Sequence, residues 1–369
     1  MKTAKKVGII CWSAVALLLI GVLIWGIIAG FQIFEGFSMS FNDLTINEEN
    51  AKIVNINSVP VKDFEEININ WRSGYVKISE YDGEEVQLIE RTQKELSDNK
   101  AMKYQVSSGV LNIESQKSYG WNFFNFGETP KILEVNLPKG SIKEISKILV
   151  NTASADVYLN NLNLNEINAF TASGDISTKN SDFNNIVAET ASGDVCLSNV
   201  NAKDGCTVST TSGDLEFDEC KAKNTKLNSV SGEIDVKNSV CEIFYAESVS
   251  GDINSYCNSD DVTLNSTSGD IMALGKFSNI IVNSISGEIN IESDKLPQEL
   301  KAESTSGDIY LKIPENKSGF TADFSTVSGD FKSSLLLSDN GQQKVYGNGE
   351  YKYSFETVSG NVTINNFSN

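Results

Sequence analysis

The sequence contains no histidine, and it has only five prolines and six cysteines among its 369 residues. Without histidine, the chain cannot build a Ser-His-Asp triad or a Cys-His pair, and it has no imidazole ligand for a metal ion. It also lacks the side chain that ordinarily changes charge near neutral pH. These absences exclude many classes of hydrolase and metalloenzyme before any motif is considered.

Positive charge is also scarce. The chain has 30 Lys and Arg against 49 Asp and Glu, and its formal net charge is −19. Proteins that bind nucleic acid neutralise phosphates with clustered Lys and Arg. The composition therefore predicts that nucleic acid is not a partner, and no motif in the sequence indicates a cofactor.

One long apolar run stands at the N-terminus. Residues 7–31 contain no charged residue, and a helix of that length, at about 1.5 Å per residue, would cross the ~30 Å core of a bilayer. Secretory signals have a shorter apolar region, and Ile28-Ala29-Gly30 makes a poor cleavage site, so an uncleaved anchor is favoured over a cleaved signal. The run is preceded by Lys2, Lys5 and Lys6. This charge bias predicts a single-pass protein of the cell membrane, with a cytoplasmic N-terminus and an extracellular C-terminal domain.

A repeated Ser-Gly-acid motif dominates the second half of the chain. Its glycines lie 18 to 22 residues apart up to Gly329, and the last step, to Gly360, is 31 residues. Ala155 and Asn361 mark the two copies that depart from the pattern. The ten glycines of the repeat are Gly174, Gly193, Gly213, Gly232, Gly251, Gly269, Gly287, Gly307, Gly329 and Gly360.

The copies share an alternating apolar pattern that is typical of β-strands. Apolar residues occupy odd positions before the glycine, such as Ile167 and Ala169, and even positions after it, such as Ile176. This change of parity predicts a corner, at which glycine tolerates backbone angles that other residues avoid. One ~19-residue unit cannot bury its apolar face alone, whereas stacked units can. We therefore predict an all-β fold, a parallel β-solenoid with coils about 4.8 Å apart. A β-sandwich is the alternative, but its strands would not hold one motif in a fixed phase.

The remaining segments complete the predicted organisation. Ser73-Gly74 and Ser108-Gly109 are interpreted as early corners, and the long step before Gly360 predicts an insertion or a hairpin. The predicted segments are a cytoplasmic stub (1–6), a transmembrane helix (7–31), a juxtamembrane stalk (32–52), irregular N-terminal β coils with a cap (53–150) and the repeat solenoid (151–369).

Three sequence features together resemble a known family. They are the recurrent [ST]-x-S-G-[DE]-apolar unit, the segment Leu133–Gly140 that precedes it, and the closing Gly347–Gly349 with residues 355–362. Across residues 55–366 the chain resembles the bacterial "putative adhesin" family, a surface β-strand-repeat domain of unknown function. The resemblance implies a membrane-tethered or otherwise extracytoplasmic protein, associated in some members with envelope-stress genes, and it supplies no catalytic residues.

The acidic residue of each repeat is the first candidate for chemistry. Carboxylates stacked about 4.8 Å apart would repel each other by about 1 kcal/mol in water, and a divalent cation would relieve this repulsion. Solvated corner residues are the favoured interpretation, because the glycine-rich nonapeptide of calcium-binding β-rolls is absent. The weak calcium candidates are Asp175, Asp194, Asp214, Asp252 and Asp270.

An aromatic loop is the second candidate. It carries Tyr119, Trp121, Phe123, Phe124 and Phe126 within residues 119–127. These side chains would either fold over an open end of the solenoid or form a surface that binds a partner.

Cysteine is the third candidate. Cys196, Cys206, Cys220, Cys241 and Cys257 follow the apolar run, and the sequence has no CxxC motif, so no zinc site is expected. Buried free thiols are the favoured interpretation, and one bridge, such as Cys220 with Cys257, is the alternative.

Taken together, these features predict a non-enzymatic, membrane-anchored protein that serves as an adhesin-like binding or scaffold protein outside the cell. Its expected partners are the membrane and either a cell-envelope polymer or another membrane protein. The alternative is an accessory sensor of envelope stress, which would act through a membrane partner because only about six residues would lie in the cytoplasm. A calcium-dependent, glycan-active β-helix enzyme is the least favoured hypothesis.

Overall fold

The computed structural model describes residues 46–94, 96, 100–115, 130–140, 144–339 and 343–367. The predicted cytoplasmic stub, the predicted transmembrane helix 7–31 and most of the predicted stalk lie outside these residues. Within them, no helix is long and apolar enough to cross a membrane.

The described chain is all-β, as predicted, apart from the single 3-10 turns Glu48–Asn50 and Val61–Asp63. The chain divides into two compact units, whose described parts lie within residues 46–207 and 208–367. The strands are β1 (Lys52–Pro60), β2 (Glu66–Tyr81), β3 (Glu85–Thr92), β4 (Lys103–Ser107), β5 (Val110–Glu114), β6 (Lys131–Pro138), β7 (Lys147–Asn160), β8 (Asn163–Thr171), β9 (Ile176–Thr190), β10 (Val195–Thr210), β11 (Leu215–Asp218), β12 (Lys221–Ser229), β13 (Ile234–Ser248), β14 (Ile253–Ser266), β15 (Ile271–Gly275), β16 (Phe277–Ser284), β17 (Ile289–Ser293), β18 (Glu299–Ser304), β19 (Ile309–Ile313), β20 (Phe320–Ser325), β21 (Phe331–Ser333), β22 (Leu337–Asp339), β23 (Gln343–Tyr346), β24 (Tyr351–Glu356) and β25 (Val362–Asn366).

In the N-terminal unit, the strands stack in parallel, one coil upon the next. Strand β2 pairs with β7, β7 pairs with β8 and β9, and β8 pairs with β9, all in parallel register. This register places equivalent apolar residues of successive coils side by side and buries them. One such buried column contains Ile67, Ile148, Ile167 and Ile186.

The other side of β2 in this unit combines parallel and antiparallel pairing. Strands β5 and β6 pair with β2 in parallel, β4 lies antiparallel to β5, and β3 and then β1 follow antiparallel beyond β6. Ser108 and Gly109, with φ of 52° and 77°, form the turn of the β4–β5 hairpin. Their interpretation as a solenoid corner was wrong, because two consecutive positive φ angles are what a tight antiparallel hairpin requires.

The C-terminal unit is also a parallel stack, from β11 and β12 through β13 and β14 to β15–β19. Its last coils are not stacked in chain order. Strands β24 and β25 pair with β18 and β19, and β20 and β21 pair with the opposite edges of β24 and β25. The coil of Gly360 therefore lies between those of Gly307 and Gly329, and the long step between the last two glycines contains the antiparallel pair β22–β23.

The corner glycines are required for a different reason from the one predicted. A left-handed φ occurs at none of the ten. Instead, a Cβ built at Gly251 would lie 2.0 Å from the carbonyl oxygen of Gly232 in the preceding coil. The same clash, at 1.8–2.2 Å from the adjacent coil, would occur at Gly174, Gly193, Gly232, Gly269, Gly287, Gly307, Gly329 and Gly360. Close approach of neighbouring backbones, and not a special backbone angle, excludes larger residues.

Each of five coils has a second corner that the sequence pattern did not reveal. Its left-handed residues, with φ between 49° and 56°, are Asn161, Asn180, Asn199, Glu219 and Asn238. Asparagine tolerates this conformation better than most residues do. The recurrence of Asn about 13 residues before the glycine is the signal that would have located this corner.

Candidate functional site

Hydroxyl side chains shape the inner side of each Ser-Gly-acid corner. The N–H of Gly174 donates to Thr171 Oγ1 at 2.9 Å, and the N–H of Gly251 donates to Ser248 Oγ at 2.9 Å. The Ser or Thr three residues before the glycine makes the same bond in the other repeats, namely Thr190, Thr210, Ser229, Ser266, Ser284, Ser304, Thr326 and Thr357. Among the inward positions of each strand, which are otherwise mostly apolar, this one is polar because it satisfies a backbone donor at the bend.

Acidic residues link several pairs of neighbouring coils, and we call the repeated acids from Asp156 to Asp330 the corner ladder. The N–H of Asp175 donates to Asp156 Oδ1 at 3.0 Å, and the N–H of Asp194 donates to Asp175 Oδ1 at 2.9 Å. In the C-terminal unit, the acceptors Asp214, Asp252 and Asp270 receive the N–H groups of Glu233, Asp270 and Glu288 at 2.8, 2.8 and 2.7 Å. One carboxylate oxygen of each of these acceptors is thus committed to the backbone.

Stacking the carboxylates has an electrostatic consequence. Burial raises the pKa of Glu288 above its ordinary value, and the negative charges of Asp270 and Asp308 raise it further. Burial also raises the pKa of Asp156, although the hydrogen bond from the Asp175 N–H opposes this shift. Repulsion between neighbouring carboxylates, as expected from the sequence, therefore contributes to the raised pKa of Glu288 and of Asp156.

The calcium candidates Asp175, Asp194, Asp214, Asp252 and Asp270 all lie on the corner ladder. Calcium takes six to eight oxygen ligands, whereas a single file offers few oxygens at any one point. Within the described residues, no group of three or more Cys, Asp or Glu side chains is placed to hold a metal ion.

A second, half-buried group of side chains lies beside the corner ladder in the N-terminal unit. Tyr75 pairs in register with Asp156, and Lys77 pairs with Tyr158. The two tyrosine rings meet edge to face with centroids 5.8 Å apart, and Lys77 Nζ lies 5.8 Å from each centroid. Lys77 also forms an ion pair with Glu48. We call these five residues the tyrosine patch.

The tyrosine patch combines aromatic surface with paired charges. Burial raises the pKa of Tyr158 to about 12, and the charge of Asp156 contributes to the shift. The pKa of Tyr75 is raised for the same two reasons. Both hydroxyls therefore stay protonated at neutral pH, able to donate as well as accept hydrogen bonds.

The predicted aromatic loop, with Tyr119, Trp121, Phe123, Phe124 and Phe126, lies outside the described residues. The strand that follows it begins at Lys131, whose Nζ lies 2.7 Å from Glu90 Oε1 with both side chains buried. Lys131 also donates to the carbonyl of Lys100, and Glu90 accepts the N–H of Met102 at 3.0 Å. Sequence reasoning missed this ion pair, although Glu90 stands at an inward position of the alternation Val86, Leu88, Glu90, Thr92.

The cysteines do not support the bridge considered from the sequence. Cys220 donates its N–H to Ser239 Oγ, and Ser239 pairs in register with Cys257, so one coil separates Cys220 from Cys257. The proposed Cys220–Cys257 bridge is therefore wrong. The Sγ of Cys257 instead lies 3.8 Å from that of Cys241.

Comparison with known families agrees with this stack of β coils. Residues 64–278 and 255–365 each match the sequence profile of the Toastrack DUF4097 family. The matches cover most of the chain, so the protein belongs to this family, and the predicted family resemblance is confirmed. No curated protein gives a significant match to the sequence.

Several crystal structures are similar at low sequence identity. A "putative cell adhesion protein" from Clostridium sporogenes is 14% identical, with 86% of this chain and 99% of that chain covered and a TM-score of 0.24. A "putative lipid binding protein" from Parabacteroides distasonis is 14% identical, with 87% and 99% covered and a TM-score of 0.38. A "putative adhesin" from the same organism is 13% identical, with 86% and 98% covered and a TM-score of 0.36. Identities this low transfer no activity to this chain.

Proposed function

We propose that this chain is a non-enzymatic protein of the cell envelope that binds a polar polymer, such as a surface glycan, through the tyrosine patch. Residues 7–31 would anchor it in the cell membrane with residues 1–6 in the cytoplasm, and the β coils would face outward. The observation that carries the proposal is the tyrosine patch itself, which replaces the repeated pattern with a group of different chemistry.

The residues of the repeat have a structural role, in contrast to the tyrosine patch. The carboxylates of the corner ladder accept backbone N–H groups, and the hydroxyls at the corners do the same. Glycoside hydrolysis needs two carboxyl groups on either side of the scissile bond, about 5 to 9.5 Å apart. A regular file along one edge of each unit does not place two carboxyl groups on opposite sides of a bond, so we assign the ladder to structure.

The tyrosine patch has the chemistry that a glycan requires. Tyrosine presents an apolar ring together with a polar hydroxyl, and Lys77, Asp156 and Glu48 supply a donor and acceptors for sugar hydroxyls. The rings are held in place by the pairing of β2 with β7, so little side-chain freedom would be lost on binding. The aromatic loop 119–127, which the sequence leaves open as either a cover for an end of the solenoid or a binding surface, would in this proposal contribute further rings for binding.

Co-sedimentation of the purified full-length protein with isolated cell envelopes tests the proposal. We expect Tyr75→Ala and Tyr158→Ala to weaken retention at least tenfold when combined, and deletion of 119–127 to weaken it further. Tyr310→Ala is the matched control, since Tyr310 also lies two residues after a ladder acid, Asp308, and hydrogen-bonds to it. Equal retention of all folded variants would refute the role of the patch.

The exposed residues of β1 favour a second candidate function, an accessory sensor of envelope stress. Ile53 and Ile56 are 45% and 55% exposed, directly after the predicted juxtamembrane stalk. A membrane protein could contact this apolar strand and carry the signal that six cytoplasmic residues cannot. Photo-crosslinking from residue 56 in native membranes should recover such a protein, and recovery of none would exclude this function.

A further inference from the structure

Two buried cysteines of the C-terminal unit are in direct contact. Cys241 belongs to β13 and Cys257 to β14, which are adjacent parallel strands. Their Sγ atoms lie 3.8 Å apart, and the residues are 5% and 1% exposed. Since a disulfide bond is about 2.05 Å long, the two sulfurs need to approach each other by less than about 2 Å.

The strand register explains how two residues that are 16 positions apart come to meet. Cys241 aligns with Ser259 and Cys257 aligns with Ser239, so the cysteines lie diagonally across the two coils. The register shifts between Val236 and Ser239, next to the left-handed residue Asn238. The cysteines therefore follow a corner of the coil, and both turn their sulfurs into the interior.

A buried hydroxyl accompanies the two sulfurs. Thr225 is 2% exposed and stands in the core column that continues with Phe244 and Val262. Its Oγ1 lies 3.1 Å from Cys241 Sγ. Thr225, Cys241 and Cys257 thus form a continuous polar chain in an apolar core, in which Cys241 is the central member.

The chain of contacts makes the two thiols unequal. The hydrogen bond from Cys257, together with that from Thr225, lowers the pKa of Cys241 despite its burial. The pKa of Cys257 is raised, because its proton is held in the bond to Cys241 and because it is buried. The thiolate is the nucleophile in thiol–disulfide exchange, so Cys241 is the sulfur that reacts first.

We propose that Cys241 and Cys257 form a dithiol that a low-molecular-weight disulfide converts into a covalent bridge between two adjacent coils. The Cys241 thiolate attacks one sulfur of the small disulfide and releases one small thiolate. Cys257 then loses its proton, and its sulfur attacks Cys241 Sγ and releases the second small thiol. One protein disulfide and two small thiols replace one protein dithiol and one small disulfide, so atoms and electrons balance. This inference is independent of the proposed binding function.

Oxidative refolding of the full-length protein tests the bridge. The protein is unfolded, refolded with oxidised and reduced glutathione, alkylated and digested with trypsin. Both cysteines fall in one tryptic peptide, residues 238–276. We expect this peptide to be two hydrogens lighter and not alkylated. Cleavage at Glu242 and Glu247 should then leave two fragments joined by a bond that reductant breaks.

Alkylation of both cysteines in the wild-type peptide would overturn the proposal, as would a bridge from either one to Cys196, Cys206 or Cys220. The oxidised protein should also melt several degrees higher than the reduced protein, because a cross-link restricts the unfolded chain. Cys241→Ser should abolish this difference, whereas Cys196→Ser should preserve it.

Single variants test the order of attack. We expect Cys257→Ser to accumulate a mixed disulfide between Cys241 and glutathione, and Cys241→Ser to leave Cys257 as a thiol. Thr225→Val should slow oxidation at least threefold, while Thr263→Val, on the outward side of the neighbouring coil, should not. Mixed disulfide on Cys257 in place of Cys241 would contradict the assigned nucleophile, and circular dichroism of each variant controls for folding.

Discussion

At the residue scale, the repeated acid is used for its oxygen atom and not for its charge. Asn361 occupies this position in the last repeat, and its Oδ1 accepts the N–H of Asp330 at 2.9 Å, as the aspartates do elsewhere. An amide oxygen therefore performs the same task. The charge adds a repulsion that, together with burial as the larger cause, raises the pKa of Glu288.

Asp270 allows this distinction to be measured. Asp270→Ala removes the acceptor for the Glu288 N–H, and we expect it to lower the free energy of unfolding by about 1 kcal/mol, the usual net contribution of one hydrogen bond. Asp270→Asn keeps the acceptor and relieves a like charge, so its stability should equal or exceed that of the wild type. Urea unfolding followed by circular dichroism gives both values, and equal losses in the two variants would contradict this role.

Asp156 makes stability depend on pH in a defined direction. Because burial raises its pKa in the folded state, the folded chain binds the proton more tightly than the unfolded chain does. Its contribution to stability is therefore lost as the pH rises through the folded-state pKa. We expect Asp156→Asn, which keeps the acceptor for Asp175, to melt higher than the wild type at pH 7. The difference in melting temperature should disappear below the unfolded-state pKa of aspartate, and a difference that grows in acid would contradict the assignment.

The sequence located the corner residues but not the physical reason for each. The fixed Ser or Thr and the acid were visible as a repeated pattern, and the strand alternation placed the core correctly. The role of glycine was misjudged, because its requirement comes from the carbonyl of another coil and not from its own neighbours in sequence. Contacts between coils leave no local signal.

At the element scale, glycine determines how closely two coils pack. Gly251→Ala would place a Cβ 2.0 Å from the Gly232 carbonyl oxygen, a backbone atom that cannot rotate away. We expect a loss of about 1–3 kcal/mol or more in the free energy of unfolding. Gly205→Ala is the control, since its Cβ would meet only the side chain of Asn185, at 3.0 Å. Comparable losses in the two variants would argue against the packing explanation.

The ion pair of Lys131 with Glu90 joins β6 to β3 and to the segment around Met102. Lys131→Met would leave a buried carboxylate without its cation, and we expect a loss of about 3–5 kcal/mol in the free energy of unfolding. Lys131→Met combined with Glu90→Gln should recover much of this loss, because the amide still accepts the Met102 N–H. Thermal melting of both variants checks this, and a double variant no more stable than the single one would contradict the pairing.

Elements that depart from the repeat were the hardest to predict. The order of the last coils, with β24 and β25 between the strands of the two preceding coils, depends on pairing between distant segments. The dipeptide Ser108-Gly109 predicts a corner but forms a hairpin turn, because Ser-Gly occurs in both. In contrast, the parallel register of β13 on β14 follows directly from the spacing of the motif.

At the scale of the whole molecule, the residues of the repeat and the residues that break the repeat have different roles. The repeated hydroxyls, acids and glycines satisfy the backbone and set the spacing of the coils. The residues that break the pattern, foremost Tyr75, Lys77 and Tyr158, supply the surface that we propose for binding. The formal net charge of −19 reflects the excess of acidic over basic side chains in the chain.

Envelope binding by one variant of each kind tests this division most directly. Asp270→Asn changes one residue of the repeat. The combined Tyr75→Ala and Tyr158→Ala variant removes both rings of the tyrosine patch. Both proteins should fold, as judged by circular dichroism. We expect Asp270→Asn to co-sediment with isolated envelopes as the wild type does, and the double tyrosine variant to lose at least nine-tenths of its binding constant. Loss of binding in Asp270→Asn with full binding by the tyrosine variant would contradict this division.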